Sequence, residues 1–250
     1  MAKNRVLVLI PARYASTRYP GKPLAQINGK SMIQRVFENC TSMGASPSFD
    51  CQAYVVTDDQ KIENHVKEFG GNVIRVDDDV QSGTERIYLA FQKSSDKKFD
   101  LIINVQGDEP LLTGEELERL AQFHLDSNFD IATLVKKNED LEELKNPNIV
   151  KAVVAPTGRC LYFSRGCIPF DRDGSELTSW WQHIGVYSYR PTALQKFCES
   201  PMGVYENIEK LEQLRAMEQG MSIGALVTNL NLIGVDTPED LKKLEGMFDE

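Results

Sequence analysis

Four short apolar runs, each followed by a stretch of helical periodicity, constrain this chain more than any other feature. Residues 6–10 read VLVLI, the unbroken apolar pattern of a strand buried on both faces. Residues 54–57, 73–76 and 101–105 (YVVT, VIRV, LIINV) repeat it. Residues 31–43, 59–69, 83–93 and 114–126 follow with helical spacing. Met32, Ile33, Val36 and Phe37 share one helical face, and Ile62, Val66 and Phe69 share another that Gly70 and Gly71 terminate. Strand and helix alternating at this interval predict βαβ units and a parallel sheet. Right-handed crossovers place the carboxyl ends of such strands on one edge, where ligands bind. The loops at 11–24, 57–59, 81–86 and 106–110 are therefore expected on one rim.

Beyond residue 130 the pattern changes. Residues 131–135, 150–155, 160–165 and 183–190 are short β-like runs with few helices between them. They predict mixed or antiparallel strands, which either extend the sheet or form a small subdomain. In 183–190 the alternation puts His183, Gly185, Tyr187 and Tyr189 on one face. Residues 205–219 predict one strong helix, 223–235 one or two strands, and 237–248 a last helix. Thr237 fits the N-cap of that helix, Pro238 its first position and Asp240 its third.

Charge narrows the function. The 250 residues carry a formal net charge of −9, which argues against nucleic-acid and anionic-membrane partners. An anionic substrate then requires cations gathered locally. No stretch approaches the 18 or so apolar residues of a membrane span, and the run at 6–10 is too short for a secretion signal. Five cysteines without a CxxC pair fit reduced thiols, so a cytoplasmic location is expected.

The cations are gathered in the first loop. Residues 11–24 read PARYASTRYPGKPL, with Arg13, Arg18 and Lys22 and no acid. Small residues (Ala12, Ala15, Ser16 and Gly21) let the backbone approach a ligand closely. Three cations and exposed N–H groups make a cradle for a triphosphate, or else a solvated basic loop. Gly29-Lys30-Ser31 resembles the end of a phosphate-binding P-loop, but Leu24 stands where that motif needs glycine. Residues 106–110, QGDEP, end the fourth apolar run. Gly107 permits a sharp turn and Asp108 projects from the rim, as a Mg²⁺ ligand or as plain turn chemistry. Asp236 is a carboxylate the last helix does not need for capping, and so a second metal ligand or another turn residue. Ser82 or Thr84 caps the helix at 83–93, whose N–H groups could instead meet an anion or a base edge. His183 reads equally as a structural strand histidine. Glu212 and Gln213 lie in what otherwise reads as an ordinary amphipathic helix.

Together these segments resemble the 3-deoxy-manno-octulosonate (Kdo) cytidylyltransferase family. The matching stretches are 10–36, QSGTER (81–86), NVQGDEP (104–110), LYFSRGCIPFDRD (161–173), HIGVYSYR (183–190), EKLEQLR (209–215) and GVDTPEDL (234–241), in the same order along nearly the whole chain. The resemblance implies a single α/β domain, residues 1–250, with a Rossmann-like nucleotidyltransferase fold. That fold has a mixed, mostly parallel central sheet flanked by helices and a smaller β-rich part for sugar binding and dimerisation. Residues 1–130 are then mainly nucleotide-binding and 131–235 mainly sugar-binding and dimer-forming. The implied reaction moves CMP from CTP to the anomeric hydroxyl of Kdo or a close analogue, with Mg²⁺, in a cytoplasmic homodimer, and activates the sugar for lipopolysaccharide synthesis.

By the same resemblance Arg13, Ser16, Arg18 and Lys22 bind the CTP phosphates, with Lys22 and Arg18 acting in catalysis. Gln81, Ser82 and Gly83 lie near the cytosine, and Asp108 and Asp236 hold the metal. Arg86, Gln106, Arg165, His183, Tyr187, Glu212 and Gln213 line the sugar pocket, with Arg86 or Arg165 pairing with the sugar carboxylate. The chain departs from the family pattern at Ser188, where glycine is common, at residues 200–207 and at 226–233. The alternatives are the same reaction on 8-amino-8-deoxy-Kdo, a sialic-acid cytidylyltransferase, and a catalytically silent nucleotide-binding protein.

Overall fold

The computed structural model describes residues 3–15, 19–80, 82–174, 177–232, 234–235 and 237–248. They fall into two compact units, one of residues 1–119 with 231–250 and one of residues 120–230. The C-terminal segment, residues 231–250, thus belongs with the first unit.

The first unit grows from β1 (Asn4–Ala12), whose residues Val6 to Ile10 are all buried. A 3-10 turn at Lys22–Leu24 leads into the short hairpin β2 (Gln26–Ile27) and β3 (Lys30–Ser31). Helix α1 (Met32–Ser42) starts where the Ser31 hydroxyl accepts the Gln34 N–H, and it buries Met32, Ile33, Val36 and Phe37 as the spacing predicts. Strand β4 (Phe49–Thr57) follows, then α2 (Gln60–Glu68), capped by Asp59. Next come β5 (Val73–Arg75), α3 (Gly83–Lys93), capped by Ser82, β6 (Leu101–Asn104) and α4 (Gly114–Asp126), of which residues 114–119 belong to this unit and 120–126 to the second. Strands β1, β4, β5 and β6 are all parallel, in the order β6-β1-β4-β5. The unbroken apolar run Val6–Ile10 of β1 suits a parallel strand covered on both faces.

The second unit is built differently. Strand β7 (Ile131–Asn138) is followed by the one-turn helix α5 (Leu141–Leu144), by the antiparallel pair β8 (Lys151–Val154) and β9 (Cys160–Ser164), and by β10 (Trp180–Tyr189). Helices α6 (Pro191–Glu199), α7 (Val204–Glu209) and α8 (Gln213–Glu218) and strand β11 (Ile223–Thr228) complete it. Strand β7 is antiparallel to β10 and parallel to β11.

Three expectations are corrected here. Residues 205–219 are not one helix, because α7 ends at Lys210 in a left-handed conformation, φ 53°. The reason is tertiary: the Arg165 guanidinium takes the Glu209 and Lys210 carbonyls at 2.8 and 3.3 Å. Those are carbonyls that a continuing helix would keep. Helix α6 was not expected, although Pro191 at its first turn and the buried Ala193, Leu194 and Phe197 mark it in the sequence. Strand β10 does not alternate evenly, since its register against β7 jumps between Ile184 and Tyr187.

The last helix, α9 (Pro238–Phe248), returns to the first unit. Thr237 and Asp240 cap it reciprocally, the Thr237 N–H and hydroxyl donating to the Asp240 carboxylate and the Asp240 N–H to the Thr237 hydroxyl. Val235 and Leu244 pack against Ile27 and Met32, so Val235 lies beside the strand-end loop that carries Asp108.

Candidate functional site

An open cleft of about 230 Å³ lies at the carboxyl ends of β1 and β6 in the first unit. Arg13, Lys22, Gly83, Gln106 and Asp108 are among the residues that line it. Two glycines let its walls approach. A side chain at Gly107 would meet the Pro11 carbonyl at 3.1 Å, and one at Gly83 would meet the Pro11 ring at 3.4 Å. Gly21 adopts φ +73° beneath the Tyr14 ring and turns Lys22 into the cleft.

The charges of the cleft are already partnered. Lys22 Nζ lies 2.6 Å from Asp108 Oδ2, with the two side chains 16% and 27% exposed. Arg13 Nη2 donates to the Val80 carbonyl at 3.0 Å. Ser82, next to Gly83, caps α3, its hydroxyl accepting the Glu85 N–H at 3.2 Å. Gln106 and Asp108 belong to one tight turn, with the Glu109 N–H donating to the Gln106 carbonyl at 3.3 Å.

Ser16, Arg18, Gln81 and Asp236 lie outside the described residues. The Val235 N–H donates to the Asp108 carbonyl at 3.2 Å. Among the described residues no cluster of three or more His, Cys, Asp or Glu could hold a metal ion. A single carboxylate on an open cleft that also presents cations nevertheless suits Mg²⁺. That ion keeps several waters and is commonly held by one or two carboxylates together with substrate phosphates.

Two arginines expected at the sugar carboxylate are held by protein partners. Arg86 is 2% exposed, with Nη2 2.7 Å from the Asp58 carboxylate and Nη1 donating to the Val76 carbonyl at 2.7 Å. Only its Nε has no partner. Asp58, which the sequence reading did not single out, is thus the counter-charge of a buried guanidinium. Arg165 donates through Nη1 to the Pro147 carbonyl at 2.9 Å, besides closing the end of α7. Its main-chain N–H and the Ser164 hydroxyl both donate to the Glu209 carboxylate. Arg165 therefore acts as a helix stop.

Four of the other expected sugar residues, His183, Tyr187, Glu212 and Gln213, belong to the second unit, whereas Gln106 lines the cleft of the first. The His183 ring meets Phe163 edge-on, centroids 4.9 Å apart, and Tyr187 at 5.4 Å. Its Nε2 is 3.0 Å from the Thr133 hydroxyl. Burial pushes the His183 pKa down to about 3, so the ring is neutral at ordinary pH. Burial raises Tyr187 well above the usual phenol value, and Glu212 beside it adds to the rise. Gln213 is buried with its Nε2 unpartnered. Phe163 and Thr133 went unnoticed in the sequence, because each sits in an apolar run that reads as core.

The cytidylyltransferase family model matches residues 7–223. A 3-deoxy-manno-octulosonate cytidylyltransferase of Cytophaga hutchinsonii is 45% identical over 245 residues, covering 96% of each chain. The chain belongs to the 3-deoxy-manno-octulosonate cytidylyltransferase family. An 8-amino-3,8-dideoxy-manno-octulosonate cytidylyltransferase of Shewanella pealeana is 43% identical over 244 residues, covering 96% of this chain and 97% of its own. Among solved structures, a CMP:2-keto-3-deoxy-manno-octonic acid synthetase in complex with CTP superposes with a TM-score of 0.89 at 37% identity, over 98% of this chain and 99% of that one. A 4-diphosphocytidyl-2C-methyl-D-erythritol synthase from Anaerococcus prevotii, 11% identical, shares the fold alone with a TM-score of 0.65 over 99% of both chains. The family's fold is the mixed, mostly parallel α/β nucleotidyltransferase fold that the sequence predicts.

Proposed function

We propose that this chain transfers CMP from CTP to the anomeric hydroxyl of 3-deoxy-manno-octulosonate and releases pyrophosphate. The observation that carries the reading is the cleft at the ends of β1 and β6. It combines Arg13, Lys22 and the N-terminal turn of α3 with the Asp108 carboxylate, as a triphosphate with its counter-cation requires. The end-to-end likeness to octulosonate cytidylyltransferases supports the sugar.

The residues divide the work. Lys22 gives up part of its pairing with Asp108 when phosphate enters and offsets charge on the leaving pyrophosphate. Arg13 and Arg18 neutralise the outer phosphates, with Ser16 as a further contact, and Gln81, Ser82 and Gly83 hold the nucleotide. Asp108 and Asp236 would hold Mg²⁺, which supplies charge neutralisation at the phosphates and lowers the pKa of the attacking hydroxyl. His183, Tyr187, Glu212 and Gln213 present neutral and acidic hydrogen-bonding groups to sugar hydroxyls, with Gln106 at the cleft. Arg86 holds Asp58 and the strand-end loops in place and does not meet the sugar directly. Direct in-line attack on the α-phosphate needs positioning and charge, and no nucleophilic side chain.

A homodimer in the cytoplasm belongs to the same reading. No helix among the described residues is long and apolar enough to cross a membrane. The test is pyrophosphate release from CTP with Kdo, 8-amino-8-deoxy-Kdo or sialic acid, each with and without Mg²⁺. Release with Kdo that depends on Mg²⁺ is expected. Preferential turnover of the 8-amino sugar would reassign the substrate, and no release with any sugar would overturn the proposal.

A further inference from the structure

The hydroxyl of Thr133 lies within hydrogen-bond distance of three groups. The Val186 carbonyl is 2.7 Å away, the Ile184 carbonyl 3.1 Å and His183 Nε2 3.0 Å. The two carbonyls flank the register jump in β10, between Ile184 and Tyr187, where the ladder to β7 is irregular. Thr133 and its hydroxyl are fully buried, so no water competes for these positions.

Counting protons settles the direction of each bond. A hydroxyl has one hydrogen, and a carbonyl can only accept. If that hydrogen went to His183, both carbonyl oxygens would face the lone pairs of the Thr133 oxygen at 2.7 and 3.1 Å, an uncompensated repulsion in a buried place. The hydrogen therefore goes to a carbonyl, the nearer one being Val186. The Thr133 oxygen must then accept from His183.

We infer that Thr133 fixes the His183 imidazole as its Nε2–H tautomer and so presents Nδ1 as a hydrogen-bond acceptor for a sugar hydroxyl. No described residue bonds Nδ1. Because the ring stays neutral, Nδ1 keeps its lone pair at ordinary pH. The Phe163 edge and the Tyr187 ring restrict the imidazole's rotation, so the acceptor has a set direction. Thr133 is a positioning residue, since it acts only through His183. The inference rests on the reading that this cluster meets the sugar.

The experiment joins a spectrum to kinetics. The chain has three histidines, so ¹⁵N signals of the imidazole-labelled protein can be assigned by replacing His65 and His124 in turn. Two-bond ¹H–¹⁵N correlations distinguish the tautomers. His183 is expected as Nε2–H in the wild type. In Thr133→Val, which keeps the shape and loses the acceptor, the tautomer is no longer fixed. The KM for the sugar should then rise about 3- to 10-fold, the worth of one hydrogen bond, with the KM for CTP unchanged. Thr133→Ser should restore both. A wild-type His183 in the Nδ1–H form overturns the inference, as does an unchanged tautomer in Thr133→Val. Should Thr133→Val not fold, the wild-type spectrum alone decides. Should no octulosonate be turned over, the proposed function fails while the spectrum still decides the tautomer.

Discussion

In the cleft of the first unit, cations and carboxylates sit within reach of solvent and hold one another. Lys22 pairs with Asp108, and Arg13 rests on a carbonyl. Around His183 in the second unit, the imidazole and the Tyr187 phenol are kept neutral by burial among aromatic rings. The difference matches the ligand proposed for each. A polyphosphate needs charge that can be exchanged, and a half-solvated ion pair such as Lys22–Asp108 can open at small cost. A polyhydroxylated sugar needs direction, and neutral desolvated groups fixed by neighbours supply it. Buried charge in the second unit also serves structure, in the Glu206–Arg215 pair and in the three carbonyls that hold Lys151.

That contrast can be broken in four ways, taken from the largest expected effect to the smallest. Arg215→Met strands the Glu206 carboxylate, which is 6% exposed, and should cost about 3–5 kcal/mol of stability in urea unfolding. Adding Glu206→Gln should recover part of that loss; no recovery would mean that Arg215 acts mainly through its stacking on Phe197. Asp108→Asn should lower turnover by about 10²- to 10³-fold and leave the unfolding midpoint unchanged. Near-normal pyrophosphate release in that variant would remove Asp108 from the site.

The third route is acid. His124 is fully buried, and burial lowers its pKa from the usual 6.5 to about 4. The native state therefore stays neutral where the unfolded chain takes up a proton. The stabilisation is complete above pH 6.5 and is lost as the pH falls from 6.5 toward 4, by about 3 kcal/mol at most. His124→Gln, which does not titrate, should flatten that window in urea unfolding at stepped pH. The smallest effect concerns Ser188, a departure from the family pattern. Its hydroxyl lies 2.8 Å from His124 Nδ1, while Nε2 faces the Phe129 carbonyl at 3.1 Å. Because Nε2 must donate to that carbonyl, Ser188 is the donor to Nδ1. Ser188→Ala should cost about 1 kcal/mol and leave the KM for the sugar unchanged. A changed KM would move Ser188 from the fold into the sugar site.

The alternation of apolar runs with helical periodicity determined the parallel sheet of the first unit and the loops at its strand ends, because both periods are written locally in side-chain polarity. Cap residues did the same for the helix starts at Ser31, Asp59, Ser82 and Thr237, where the bond closes within three residues. The break between α7 and α8, the bulge in β10, and the commitment of Arg86 and Arg165 could not be read that way. Each involves a partner distant in the chain: Arg165 at the helix end, strand β7 opposite the bulge, and Asp58 at the buried guanidinium. A guanidinium has the same sequence signature whether it waits for a substrate carboxylate or closes a helix. Only the tertiary structure, by placing carbonyls or a carboxylate within 3 Å of it, decided which.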